Sequence, residues 1–485
     1  MLFNSVEYLI FLPTIFVLYW VVAKFNNLKV QNALVLMASY VFYGLWDWRF
    51  LFLILASTIV DYVMGLAIHR EQKQHKSGRL FLWCSIVFNV SLLGFFKYYN
   101  FFVGSFVDMI DLFGYSIQST WTLNIILPVG ISFYTFQTMS YSLDIYYKRI
   151  KPTKSLLNFA TFVAFFPQLV AGPIERASNL LGQMTRKRTF KYEQIVEGLK
   201  LILWGLFKKM VIADGIAPMV DDIFAHYDAF SASTLVLGVT LFSFQVYGDF
   251  SGYSDIAIGT AKLFGIELMS NFRFPNFSRN VAEYWQRWHT SLSTWFRHYL
   301  YIPLGGSRVG KLKSIRNICI VFLVSGFWHG ANWTFIFWGA FHALAYIPVF
   351  LMGRNTIYKN TVVAQNTFLP SFKEIGQLFA TFSIVTFSRI FFRSESLNDS
   401  FIFIQRLFTD FRWEPYIHPM GYRLVDYFVL LGLFVIYEFL IRKDERNPFK
   451  FKSRFVRFWA YTLVIFSILL FYDDGIDRSF IYFQF

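Results

Sequence analysis

The chain has 485 residues, of which 56% are hydrophobic and only 15% charged, with 62 Phe. Those proportions exclude an ordinary soluble domain and leave a polytopic membrane protein. A formal net charge of +15 would suit a nucleic-acid binder, but Lys and Arg gather in short loops between apolar runs, as in cytoplasmic loops of membrane proteins, and no nucleic-acid partner is expected. Cys84 and Cys319 both lie inside apolar runs, which supports neither a disulfide framework nor a cysteine metal site.

One crossing takes ~20 apolar residues, so the chain can hold about a dozen. The first run, 6–23, has no basic leader and no small-residue cleavage site, and it reads as a retained span. Runs at 30–46, 50–68, 80–98 and 124–146 predict further spans. Loops after the first, third and fifth runs are basic (Lys24 and Lys29; Arg70, Lys73, Lys76 and Arg79; Lys148, Arg149, Lys151 and Lys154). The loop after the fourth carries Asp108 and Asp111 and no Lys or Arg, which predicts an outer N-terminus. The run 156–172 is short and basic on both sides, and reads as a re-entrant segment. A span at 194–219 leads to an acidic outer loop with Asp221, Asp222 and Asp228, and the run 233–249 returns.

From Gly248 to Arg316, Gly, Ser, Asn, Pro and Arg interrupt the apolar pattern, which predicts interfacial helices and re-entrant loops. The runs 317–328 and 331–352 flank His329 as a hairpin or broken helix pair. Spans near 376–393, 424–442 and 455–472 follow, with a basic loop between Arg442 and Lys450, and the parity puts the C-terminus outside. The segment 394–422 has no readable pattern. The expected fold is therefore an all-α polytopic membrane protein, with about 12 transmembrane helices plus re-entrant and interfacial helices around a central core. It is expected to form a single integral membrane domain over 1–485, with its core at 245–341 and an extracytoplasmic tail at 473–485.

Two histidines stand out in that core. Read as one amphipathic helix, 285–300 puts Trp285, Trp288, His289, Leu292, Phe296 and Tyr299 on one side, and Arg287, Ser291, Thr294 and His298 on the other. Periodicity alone leaves His289 open between a satisfied polar group on an interfacial helix and a group pointing into a buried site. His329 lies between two apolar runs, where an ionisable side chain is costly and a functional role is the default reading. Gly326 and Gly330 flank it and let backbone or substrate come close. An imidazole can take a proton from a hydroxyl nucleophile near neutral pH, although a Trp-His-Gly break serves packing equally well on pattern alone. No ligand spacing for a metal is present; the nearest partner for His329, His342, is thirteen residues on.

Six motifs recur in a fixed order. They are Gly130-Ile-Ser-Phe-Tyr-Thr-Phe136, Pro167-Gln-Leu-Val-Ala-Gly-Pro173, Asp249-Phe-Ser-Gly-Tyr-Ser-Asp255, Trp288-His-Thr-Ser-Leu-Ser-Thr-Trp295, Tyr301-Ile-Pro-Leu-Gly-Gly306 and Trp328-His-Gly-Ala-Asn-Trp333. As a set they resemble the membrane-bound O-acyltransferase superfamily, in its bacterial branch typified by the alginate O-acetylation membrane protein. The resemblance implies that His329 is the essential catalytic histidine and His289 the second active-site histidine. It implies channel or core-support roles for Asp249, Ser251, Tyr253, Trp288, Ser291, Trp328 and Asn332. One departure is His298, which stands where related sequences often carry Asp within Arg-Asp-Tyr. The chain ends Phe480-Ile-Tyr-Phe-Gln-Phe485, similar to a C-terminal motif of envelope-acylation systems in which the tyrosine is thought to carry the acyl group. Without that resemblance, Tyr482 would read as an interfacial belt residue.

The implied activity is transfer of an acyl group, acetyl above all, from a cytoplasmic thioester across the membrane to an exported polysaccharide. Acetyl-coenzyme A or an acyl-carrier protein would be the donor, with no bound cofactor or metal. The implied partners are an extracytoplasmic SGNH-hydrolase-like protein, the polymer and membrane lipid, and the implied place is the bacterial cytoplasmic membrane with both termini outside. D-alanyl transfer to teichoic acid and peptidoglycan O-acetylation share the motifs. A non-catalytic export component is the rival from another class, against which stands the lack of two corresponding halves with paired broken helices.

Overall fold

The computed structural model describes residues 1–115, 121–170, 172–417, 424–472 and 480–481, and all regular structure among them is helical. In chain order the helices are α1 (Val6–Ala23), α2 (Leu28–Asp47), α3 (Leu51–Lys73), α4 (Arg79–Leu93), α5 (Tyr99–Leu112), α6 (Ile131–Tyr146), α7 (Leu156–Ala164), α8 (Phe166–Leu169), α9 (Ala177–Met184) and α10 (Tyr192–Leu206). They continue as α11 (Asp214–Ala225), α12 (Ala232–Leu263), α13 (Val281–Arg287), α14 (Thr290–Phe296), α15 (Lys311–His329), α16 (Trp333–Leu351), α17 (Phe372–Arg393), α18 (Leu397–Thr409), α19 (Leu424–Ile441) and α20 (Arg454–Phe471). Among the described residues, six stretches are long and apolar enough to cross a membrane: Val6–Ala23, Leu28–Lys73, Arg79–Leu112, Trp333–Leu351, Phe372–Arg393 and Arg454–Phe471. The protein is thus an all-helical, multi-pass membrane protein.

Two compact units make up the chain. One comprises Met1–Ile195 with Thr260–Leu268, and the other Val196–Gly259 with Met269–Phe485. In the first, polar side chains hold apolar helices together. Asp61 of α3 is buried and accepts hydrogen bonds from Ser85, from Asn89 at 2.8 Å and from Ser142 at 3.1 Å. Away from water a carboxylate needs such donors. Residues 156–170 form only the short helices α7 and α8, of 9 and 4 residues, broken at Phe165 and, from Phe159 on, buried by the protein around them.

Several sequence expectations need correction here. The run 80–98 does not end in an outer loop: α4 passes through a widened turn at Gly94–Tyr98 into α5, so Asp108 and Asp111 are helical. The span expected over 124–146 becomes helical only at Ile131. Pro128 lacks a backbone donor, and Gly130 takes φ +76°, a left-handed value that favours glycine. The segment 394–422 contains the amphipathic helix α18.

The largest correction concerns the second unit and α12. The pattern break expected at Gly248 does not occur, and α12 runs 32 residues to Leu263. Its glycines mark close contact instead of interruption. A Cβ on Gly252 would lie 2.7 Å from the Gly205 carbonyl oxygen, and one on Gly259 2.5 Å from that of Gly198. Small residues at such positions let α10 and α12 meet backbone to backbone. Alanine ordinarily strengthens a helix interior by ~1 kcal/mol over glycine. Gly104→Ala, which faces open space, should therefore hold or raise the melting temperature in detergent. Gly205→Ala would push a Cβ to 2.5 Å from the Gly252 oxygen, and should lower it by an overpacking cost of roughly 1–3 kcal/mol.

Candidate active site

The second unit builds the site from two interrupted helices. α15 ends at His329, Gly330 is extended at φ −159° and ψ 152°, and α16 starts beyond Asn332. Asn332 caps the new helix by accepting from the Thr334 N–H at 3.0 Å, and its amide donates to the Glu395 carbonyl at 2.8 Å. These bonds satisfy groups that a broken helix would otherwise leave bare. Glycine is needed at 330 because a Cβ there would lie 2.0 Å from the Phe335 ring. The expectation of a broken helix pair around His329 matches this geometry.

The second interruption is at His289. The single helix read over 285–300 is in fact two, α13 and α14, separated by Trp288 in an extended conformation and His289 at φ +44° and ψ 53°. A non-glycine residue in the left-handed region persists only where its surroundings hold it there. They do so through 270–271. Thr290 N–H donates to the Asn271 carbonyl at 2.9 Å, Ser291 Oγ donates to Asn271 Oδ1 at 2.8 Å, and Asn271 Nδ2 donates to Ser254 at 3.2 Å. α13 is itself braced by buried Glu283, which pairs with Arg279 at 3.0 Å and Arg287 at 2.8 Å. The same-side grouping read from periodicity does not survive the break.

The two breaks bring the imidazoles together. Their ring centroids are 6.4 Å apart, beyond a direct ring-to-ring hydrogen bond but close enough for one small group between them to face both. Both are buried. Trp328 packs 5.0 Å from His329 and 5.9 Å from His289, while Trp338 and Phe392 lie 5.1 and 5.5 Å from His329. Phe250 meets His289 edge-on at 4.7 Å. His289 lies outside the six apolar stretches, and burial lowers its pKa to about 3, so the ring is neutral near pH 7. His342 is engaged elsewhere, sharing a hydrogen bond of 2.9 Å with Ser388. Among the described residues no group of His, Cys, Asp and Glu has metal-binding geometry.

Of the remaining sequence candidates, Ser251, Tyr253, Trp288, Ser291 and Trp328 are buried in this core, whereas Asn332 serves the α16 cap. His298 is half-buried in a widened turn and donates through Nδ1 to the Thr294 carbonyl at 2.8 Å. Tyr482 lies outside the described residues. Phe480 and Ile481 are within them, and Phe480 packs on Phe250 at 5.4 Å and on Tyr253 at 4.6 Å.

Among the buried ionisable groups that escaped the sequence reading, Arg389, Lys209 and Glu438 lie in this unit. Arg389 lies over the Trp288 ring at 4.5 Å and donates to the Tyr284 hydroxyl at 2.9 Å. Lys209, in a widened turn at Phe207–Ala213, sits 2.7 Å from both Asp214 and Asp249. Glu438 accepts from the Tyr247 hydroxyl at 2.9 Å. All three interrupt apolar runs, so the rule that singled out His329 would have found them.

Residues 90–393 match the membrane-bound O-acyltransferase family, MBOAT. The "Probable alginate O-acetylase AlgI" of Azotobacter vinelandii is 42% identical over 343 residues, 70% of this chain and 67% of the relative. Its counterpart in Pseudomonas aeruginosa is 37% identical over 415 residues, 85% of this chain and 76% of the relative. The "Peptidoglycan O-acetyltransferase" of Helicobacter pylori is 36% identical over 428 residues, covering 82% and 78%. The chain belongs to the membrane-bound O-acyltransferase family, as its motif order implied. It is an O-acyltransferase, and its relatives include the alginate O-acetylases.

Because Asn271 holds the turn at His289, Asn271→Ala should reduce acyl transfer by about ten- to hundredfold through misplacement of that ring. Steady-state transfer from a radiolabelled thioester, with the melting temperature measured in parallel, checks this.

Proposed function

We propose that this enzyme takes an acetyl group from a cytoplasmic thioester and passes it through the membrane to hydroxyls of an exported polysaccharide of the alginate type. Acetyl-coenzyme A or an acyl-carrier protein is the donor, and no bound cofactor or metal takes part. The observation that carries the reading is the convergence of His289 and His329, 6.4 Å apart, from two separate helix breaks. The identity to alginate O-acetylases over most of the chain supports the acetyl group and the polymer.

In this mechanism His329 takes the proton from the Tyr482 hydroxyl as the phenol oxygen attacks the thioester carbonyl. A C–O bond forms, the C–S bond breaks, and the thiolate leaves with the proton from the imidazolium. His289 orients the donor at the cytoplasmic mouth and assists the departing thiolate. A polymer hydroxyl then attacks the tyrosyl ester, and the proton it loses returns to the phenol. A phenol, with a pKa of ~10, leaves far more readily than a sugar alkoxide, so the ester keeps much of the thioester's transfer potential. An SGNH-hydrolase-like protein outside the membrane completes the second transfer. About 12 crossings, with both termini outside the bacterial cytoplasmic membrane, fit the distribution of basic loops.

A second reading, O-acetylation of peptidoglycan, is favoured by the Helicobacter pylori relative. Supplying alginate-type polymer and peptidoglycan as rival acceptors to the same preparation separates the two.

His329→Ala should lower transfer by ~10²–10⁴-fold while the protein remains folded and membrane-inserted; near-normal polymer acetylation would sink the mechanism. Tyr482→Phe should abolish acyl transfer to the polymer at unchanged protein abundance. Mass spectrometry of the C-terminal peptide should find an acetyl mass on Tyr482 in the wild type and none in the variant.

A further inference from the structure

The far end of the chain returns to the histidine pair, and a buried carboxylate holds it there. The Ile481 backbone N–H donates to Asp249 Oδ2 at 2.8 Å. The other oxygen, Asp249 Oδ1, is 2.7 Å from Lys209 Nζ, which also pairs with Asp214 at 2.7 Å. One ammonium shared by two carboxylates leaves this trio with an excess negative charge. A buried carboxylate oxygen in such a setting calls for a further donor, and the Ile481 N–H is that donor. Lys209 lies 5.5 Å from the Tyr253 ring centroid, and the same ring forms one wall for Phe480. The other wall, Phe250, reaches His289. Phe480 is wholly buried and Ile481 nearly so. An aromatic pocket and a charged anchor therefore receive the two residues together, one ring away from an active-site histidine.

We propose that Asp249, fixed by Lys209, is the positioning residue that anchors the C-terminal segment beside the histidine pair and thereby sets the rate of transfer through the next residue. The role rests on the reading of Tyr482 as the acyl relay, since Tyr482 directly follows Ile481. The contact fixes the backbone of Ile481, to which Tyr482 is directly bonded in the sequence. Asp249 acts through the tail and touches neither donor nor polymer. It should therefore govern transfer to the tail and leave the affinity for the thioester unchanged.

The decisive variant is Ile481→Pro in the full-length protein, which deletes the N–H and leaves the buried ion pairs intact. Ile481→Ala keeps the N–H and serves as its reference. Acetylation of Tyr482 from a radiolabelled thioester should be at least about tenfold slower in the proline variant than in the alanine variant, the loss expected for a hydrogen bond to a charged group. The KM for the thioester should be equal in the two. A photo-crosslinking benzoyl-phenylalanine at 480 should join Phe250 or Tyr253 in the wild type and lose that product in Ile481→Pro. Asp249→Asn should slow Tyr482 acetylation in the alanine reference but add little to the proline variant, because both act on one contact. Equal acetylation and equal crosslinking in the two 481 variants would overturn the anchor. If Tyr482→Phe left polymer acetylation intact while the crosslink depended on the 481 N–H, the relay reading would fall, and with it the role in transfer, while the docking contact stood.

Discussion

A chain in lipid can interrupt a helix only where protein supplies the hydrogen bonds that water would otherwise give. The arrangement around His289 and His329 follows from that constraint. At Gly330 the missing bond comes from the Asn332 side chain, itself held by donating to the Glu395 carbonyl; at His289 the bonds come from Asn271 and Ser270. The two breaks bring the histidines together with Trp328 packed against both rings, Trp338 and Phe392 against His329, and Phe250 against His289. The geometry of the histidine pair and the satisfaction of its backbone have one source here.

Charges within the same unit obey a related rule. Lys208 pairs with Asp255 at 2.6 Å, Lys209 with Asp214 and Asp249, and Glu283 with two arginines. Burying such groups singly would cost several kcal/mol each. Paired, they tie the widened turn at Phe207–Ala213 to α11 and α12 and brace α13 locally. The widened turn that carries Lys208 and Lys209 lets two successive side chains serve different carboxylates, and turns of this kind gather at functional sites.

How far the sequence could be read depended on whether a feature was local. The break at His329 was legible because Gly330 stands between two apolar runs and Asn332 caps the helix that follows, so local residues themselves cause the interruption. The break at His289 was not, because no glycine or proline marks it; distant residues 270–271 impose it, and periodicity alone reads a continuous helix. Gly248, Gly252 and Gly259 misled in the opposite direction. A glycine in an apolar helix can signal either a break or a close neighbour, and only the opposing glycines of α10 decide which. Lys209, Arg389 and Glu438 were legible in principle, since an ionisable residue within an apolar run is rarely idle. The membrane character and the family were the clearest part, for composition and ordered motifs are properties of the chain and need no partner.

The seated Phe480 and Ile481 carry a consequence for how fast such an enzyme can turn over in a crowded membrane. A carrier that diffuses to its enzyme is limited by its abundance, whereas one tethered to the enzyme meets it at an effective concentration in the millimolar range when the linker is short and flexible. Under the relay proposed above, the rate of loading per enzyme molecule would not depend on expression level. Dilution of the protein in the bilayer would then slow only a step that involves a second macromolecule.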